Sequence, residues 1–148
     1  MDEEEELFQR ILDDVQEDAV ARVYKELGDD LFGAEDIRQA LAARDPDERA
    51  FLALVMCGAE VDNGGFEQLF FNSSDEIAQH GAEGAERFGL PEHATIIRSA
   101  WQRWVELTGQ ELDDRDERLS ELDEEWYSLN EKLESRLLDF AKQRHNDA

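Results

Sequence analysis

The strongest constraint on this chain is the spacing of its apolar residues. From Glu3 to Leu27 they fall at Leu7, Phe8, Ile11, Leu12, Val15, Ala19, Val20, Val23, Tyr24 and Leu27. Steps of three and four put them on one side of a helix, and Gly28-Asp29-Asp30 reads as its end. Glu35 to Arg44 repeats the pattern in a short helix with Ile37, Ala40 and Leu41. Pro46 suits the first turn of a third helix, with Asp45 as its cap. That helix carries Phe51, Leu52, Leu54, Val55, Met56 and Ala59, so it is apolar almost all round and belongs at the centre. Asp75 to Phe88 reads as a small-residue helix in which Gly81 and Gly84 either weaken the helix or admit a close neighbour. Gly89 suits its C-terminal cap. Pro91 opens a helix to about Leu107 with Ile96, Ile97, Ala100, Trp101, Trp104 and Val105 inward. A long last helix is expected over roughly Arg118 to Arg144, with Leu119, Leu122, Trp126, Leu129, Leu133, Leu137, Leu138 and Phe140 as its stripe. No segment alternates with a strand's period of two. The expected fold is all-α: one domain of 148 residues, a compact bundle of six or seven helices with a long C-terminal helix.

One stretch, VDNGGFEQLFFNSS at positions 61 to 74, competes with this reading. Asn-Gly between apolar runs is a hairpin signal. Its neighbours decide otherwise, because a helix runs into Val61 and Phe66, Leu69, Phe70 and Ser73 keep helical spacing. Asn63 can cap a second helix, the glycines let the chain turn, and Asn72 suits a left-handed helix end. Ser73 and Glu76 would form a capping box for the next helix. A phosphate-binding loop is disfavoured, since there is no P-loop lysine or preceding strand and Glu60 and Asp62 repel anions. Phe66, Phe70 and Phe71 lack the basic neighbours of a nucleic-acid stacking platform, so core packing is the favoured role.

Charge sets the function classes. The chain has 39 Asp and Glu against 15 Lys and Arg, a formal net charge of −24. Such a field attracts basic surfaces and disfavours direct binding to nucleic acid or to an anionic membrane. The N-terminus MDEEEE lacks the features of a signal peptide, and no apolar run reaches the ~20 residues of a membrane span. A cytoplasmic protein is therefore expected. Cys57 is the single cysteine, set in the apolar run AFLALVMCGA, and reads as a buried structural thiol.

The stretch NGGFEQLFFNSSDEIAQHGAEGAERFGLPEHATIIRSA, with LDEEWYSLNEKLESRLLDFAKQ downstream, resembles a bacterial, all-helical, acidic DNA-mimic family formerly catalogued as a domain of unknown function. Asn63, Gly64, Gly65, Phe66, Phe70, Phe71 and Asn72 match its signature residue by residue. The resemblance covers roughly residues 45 to 144 and leaves residues 1–44 as an acidic helical extension. It implies a dimeric protein that occupies the DNA-binding face of a helix-turn-helix repressor. The signature residues look architectural and carry no binding role across.

The distribution of acid nominates a surface. Residues 1–30 and 106–125 hold net charges of −9 and −8, whereas residues 126–148 are neutral. Side chains climb a helix at ~1.5 Å per residue, and duplex DNA carries roughly one charge per ~1.7 Å of axis, so acids at every second or third position can approximate one phosphate strand. The run ELDDRDERLSELDEE supplies Asp113, Asp114, Asp116, Glu117, Glu121, Asp123, Glu124 and Glu125 as candidate phosphate surrogates. The run Asp2 to Glu6 is a second candidate, though complementarity to a helix N-terminus explains most of it. The expected partner is a basic DNA-binding protein, with a helix-turn-helix regulator as one form and a homodimer as one possible state. An acidic immunity protein covering a basic toxin or nuclease is an alternative. Salt adaptation is another, since only three of the fifteen bases are Lys, although general adaptation should also acidify residues 126–148.

Catalytic and metal signals are weak. The histidines are His80, His93 and His145. Glu76 and His80 suit an ion pair four residues apart rather than a closed metal site. DDRDE lacks the glycine and spacing of an EF-hand, and no G-x-S-x-G elbow surrounds Ser73 or Ser74. The expectation is no enzyme, cofactor or metal. A closed polar pocket beside Asn63 and Asn72 would favour the rival reading, an uncharacterised enzyme.

Overall fold

The computed structural model describes Glu4 and residues 19–32, 34–73, 75–109 and 116–146. Among the described residues there are seven helices and no strand: α1 (Ala19–Phe32), α2 (Ile37–Ala42), α3 (Pro46–Asn72), α4 (Asp75–Arg87), α5 (Pro91–Leu107), α6 (Glu117–Ser128) and α7 (Asn130–Asn146). Helix α3 is the hub, as its all-round apolar pattern requires. It packs against α1, α2, α4, α5, α6 and α7, and Phe51, Leu52, Leu54, Cys57 and Val61 are wholly buried.

Local chemistry sets most helix ends. The Asp45 carboxylate accepts the Asp47 N–H at 2.9 Å ahead of Pro46. Asp36 caps α2 through the Arg38 and Gln39 amides. Gly89, at φ 74°, closes α4. There Leu90 N–H donates to the Ala85 carbonyl at 2.7 Å and Gly89 N–H to Glu86 at 3.2 Å, the paired bonds of a Schellman motif. The two glycines inside α4 serve close approach. A Cβ on Gly84 would stand 2.8 Å from Ala50 Cα, and one on Gly81 would stand 2.6 Å from Cys57 Sγ.

Several boundaries differ from the sequence reading. Gly28 does not end α1, which continues to Phe32. Leu31, one turn beyond Gly28, is fully buried, and that burial outweighs the ~1 kcal/mol helical cost of glycine. The long C-terminal helix is two helices, broken at Leu129 (φ −108°, ψ 7°). The Leu129 carbonyl accepts His93 Nε2–H at 3.1 Å as well as the Lys132 and Leu133 amides, so this residue ends one helix and begins the next. Asn72 is not left-handed, because no non-glycine residue described has positive φ. Helix α3 ends instead through an extended Ser73. Helix α4 starts at Asp75, so the position that would cap it is residue 74, outside the described residues, and the Ser73 box is displaced. Val105 is exposed rather than inward.

Candidate acidic interface

The signature stretch does form a corner. Gly64 (φ −156°, ψ 17°) and Gly65 (φ 78°, ψ −177°) interrupt α3, and the positive φ at Gly65 is a conformation that favours glycine. An unbroken helix would pair the Phe66 N–H with the Asp62 carbonyl, and the Val61 carbonyl with the Gly65 N–H. Here Phe66 N–H donates to Asp123 Oδ1 at 2.8 Å, and the Tyr127 hydroxyl donates to the Val61 carbonyl at 2.8 Å. Asp123 and Tyr127 lie four apart on one face of α6. The expected cap, Asn63, is thus replaced by a carboxylate from another helix.

The aromatic anchors follow from this corner. Phe66 meets Trp126 edge-on at 5.7 Å, and Phe70 meets Trp101 at 5.4 Å and Trp104 at 5.8 Å. Phe71 departs from the expectation of core packing, with 82% of its surface exposed. Phe66, Leu69 and Phe70 form the buried face, and at about 100° per residue Phe71 falls on nearly the opposite side of the helix.

The acid run separates into distinct roles. Asp113 and Asp114 lie outside the described residues, as does the Asp2 to Glu6 run apart from Glu4. Asp123 is buried, only 4% exposed, so it is a structural acceptor and not a surface charge. Asp116 is structural too. Its carboxylate caps α6 through the Leu119 N–H at 3.0 Å and grips Arg103 through Nη2 at 2.8 Å and Nε at 3.2 Å. Its own N–H donates to Glu67 Oε1 at 3.2 Å. The Arg103 guanidinium holds the Asp116 carboxyl below the usual carboxylate range, and Asp116 in turn raises Arg103.

The remaining four, Glu117, Glu121, Glu124 and Glu125, are exposed. They occupy positions i, i+4, i+7 and i+8 of α6, opposite buried Leu119, Leu122 and Trp126. About 12 Å of helix therefore carries four charges, near the ~3.4 Å per charge of one DNA strand. Arg118 pairs with Glu121 at 3.2 Å. Among the described residues no ion pair engages Glu117, Glu124 or Glu125, whereas Asp47, Glu48, Glu86 and Glu92 on other helices each face an Arg or Lys.

The other candidates are placed as follows. His80 pairs with Glu83 at 3.8 Å, not with Glu76. Cys57 is buried, and that burial pushes its thiol up to about 12. His93 is buried against Trp126, with ring centroids 5.1 Å apart, and desolvation pulls its pKa down. Among the described residues no three metal-ligating side chains converge, and no helix is long and apolar enough to cross a membrane. Two open depressions border Asn72, one of about 530 Å³ toward Asp36 and Ile77 and one of about 420 Å³ lined by Gly64, Glu67, Gln68, Phe71, Asn72 and Trp104. Sequence reasoning missed Phe71 as a surface residue, Tyr127 as a support and Arg103 as a clamp. Helical phase would have flagged Phe71, since Phe66, Leu69 and Phe70 already define a buried face that Phe71 points away from.

No curated protein and no solved structure matches the chain. A family model described as DMP19-like protein matches residues 42–144, more than two thirds of the sequence. That span contains the glycine corner, the aromatic anchors and the acid-bearing α6 with its supports. The chain belongs to the DMP19-like protein family, a family of DNA mimics.

Proposed function

We propose that this protein is a non-enzymatic DNA mimic whose α6 acids meet the basic, DNA-binding face of a nucleic-acid-binding protein, a helix-turn-helix regulator being the leading class. The observation that carries the reading is the row Glu117, Glu121, Glu124 and Glu125 on one exposed helix face. The spacing of the row suits cations arranged for one phosphate strand, and charge-assisted bonds of this kind give fast, salt-sensitive association. Salt adaptation is less well supported, because general adaptation should acidify every segment, whereas residues 126–148 carry no net charge.

Pull-down at low and moderate salt tests the proposal. Capture of a DNA-binding regulator, released by added duplex DNA and lost when all four acids are changed to Gln, supports it. Capture of a nuclease or other basic toxin supports the immunity-protein alternative. Binding unchanged in the fourfold variant moves the site off α6. Absence of any basic partner at low salt removes both readings.

A further inference from the structure

We infer that the open groove beside Phe71 receives an arginine side chain of the basic partner. This inference rests on the reading that the chain binds such a partner and names a second contact beside the α6 row. Phe71 is 82% exposed and shares the groove with Trp104, so an aromatic face meets solvent in a chain otherwise dominated by carboxylates. The groove's polar rim is anionic. Gln68 Nε2–H and Asn72 Nδ2–H both donate to Glu60 Oε2, at 3.0 and 3.2 Å. Of Glu60 and Glu67, only Glu67 lines the groove itself, and its Oε1 accepts the Asp116 N–H, whereas Glu60 reaches the groove through Gln68 and Asn72. Among the described residues no ion pair neutralises Glu60 or Glu67, while the nearby Arg103 charge is offset by Asp116 and Glu106. Aromatic face plus uncompensated carboxylate is what a guanidinium uses. It stacks flat on the ring and pairs in its plane with an acid, which an ammonium does less well. The position fits, because Glu67 joins the groove directly to Asp116 at the start of the acid row.

Hexa-arginine and hexa-lysine peptides of equal charge test this by calorimetric titration at low salt, against the full chain. Wild type is expected to bind hexa-arginine about three- to fivefold tighter than hexa-lysine. Phe71→Ala and Phe71→Leu should bring the two within about twofold with hexa-lysine affinity unchanged, while Phe71→Tyr retains the preference. The side chain is exposed, so circular dichroism and Tm should be unaltered in all three. Equal affinities for the peptides in wild type, or a preference that survives Phe71→Ala, overturns the inference. So does sedimentation showing that Phe71→Ala turns a dimer into a monomer, which would make a second copy the occupant. The two readings separate in the variant with Gln at 117, 121, 124 and 125. Loss of all peptide binding there with no arginine preference in wild type sinks only the groove. Full binding there with the Phe71-dependent preference intact supports the groove and sinks the α6 row.

Discussion

Asp123 Oδ1 accepts the backbone N–H of Phe66 at 2.8 Å, across 57 positions of sequence. One carboxylate of the acid run thereby closes the helix break made by Gly64 and Gly65. The acid-bearing helix and the glycine corner are one structural unit, with Tyr127 completing the join at Val61.

Removing that acceptor should be costly. Asp123→Ala leaves a buried N–H unsatisfied and is expected to lose about 1–3 kcal/mol in urea unfolding. Tyr127→Phe should lose only about 0.5–1.5 kcal/mol, because this bond is part-buried and water can take the place of the partly exposed hydroxyl. If Asp123→Ala unfolds within about 0.5 kcal/mol of wild type, the carboxylate is not what holds the corner.

The pair also marks what the sequence could and could not tell. Helix existence was legible because apolar residues recur at helical spacing, in one stripe or, in α3, almost all round, and Asp45, Pro46, Gly89 and Pro91 act through neighbours one to four residues away. The break at Leu129 was not, since it involves a hydrogen bond to His93, 36 residues away. For the same reason Asp116 and Asp123 read as surface charge. Within the run DDRDERLSELDEE nothing distinguishes a buried acid from an exposed one except helical phase against Leu119, Leu122 and Trp126. That phase does pick out Glu117, Glu121, Glu124 and Glu125.

Gly84 should resist replacement more than an ordinary helical glycine. Alanine gains about 1 kcal/mol of helix propensity, but its Cβ would press on the Ala50 backbone at 2.8 Å. Overpacking of this kind costs about 1–3 kcal/mol. Gly84→Ala is therefore expected to lower Tm, read by differential scanning calorimetry. A raised Tm would mean that α3 and α4 can separate at no cost.

Stability should fall on mild acidification. His93 has a folded pKa below its ordinary value of 6.5, chiefly through burial, with the Leu129 bond opposing. The unfolded chain then binds the proton more readily than the native one. The contribution of His93 is fully present above about pH 6.5 and is lost as pH falls from there toward the folded pKa. Urea unfolding between pH 7.5 and 5.5 should show this slope, and His93→Gln should flatten it. Asp116, with its pKa lowered by Arg103, adds stability that is present above its ordinary 3.8 and lost only at more acidic pH. An equal slope in His93→Gln would assign the effect to another group.

Cys57 should be silent toward thiol reagents in the native protein. It is wholly buried beneath Gly81, with its thiol pushed up to about 12 and Sγ 3.9 Å from the Ile77 carbonyl. Ellman's reagent is expected to react at the rate of global unfolding and stoichiometrically in denaturant. Rapid labelling without denaturant would show local opening between α3 and α4.

The clamps on α6 have a consequence for any cation that meets its acids. Asp116 gripped by Arg103 fixes the first turn, and His93 bound to Leu129 fixes the point where the helix stops. A row of glutamates on a loop would surrender backbone entropy on every encounter. This row is preorganised, so its rigidity is supplied by folding and only side-chain rotamers remain to be ordered on contact.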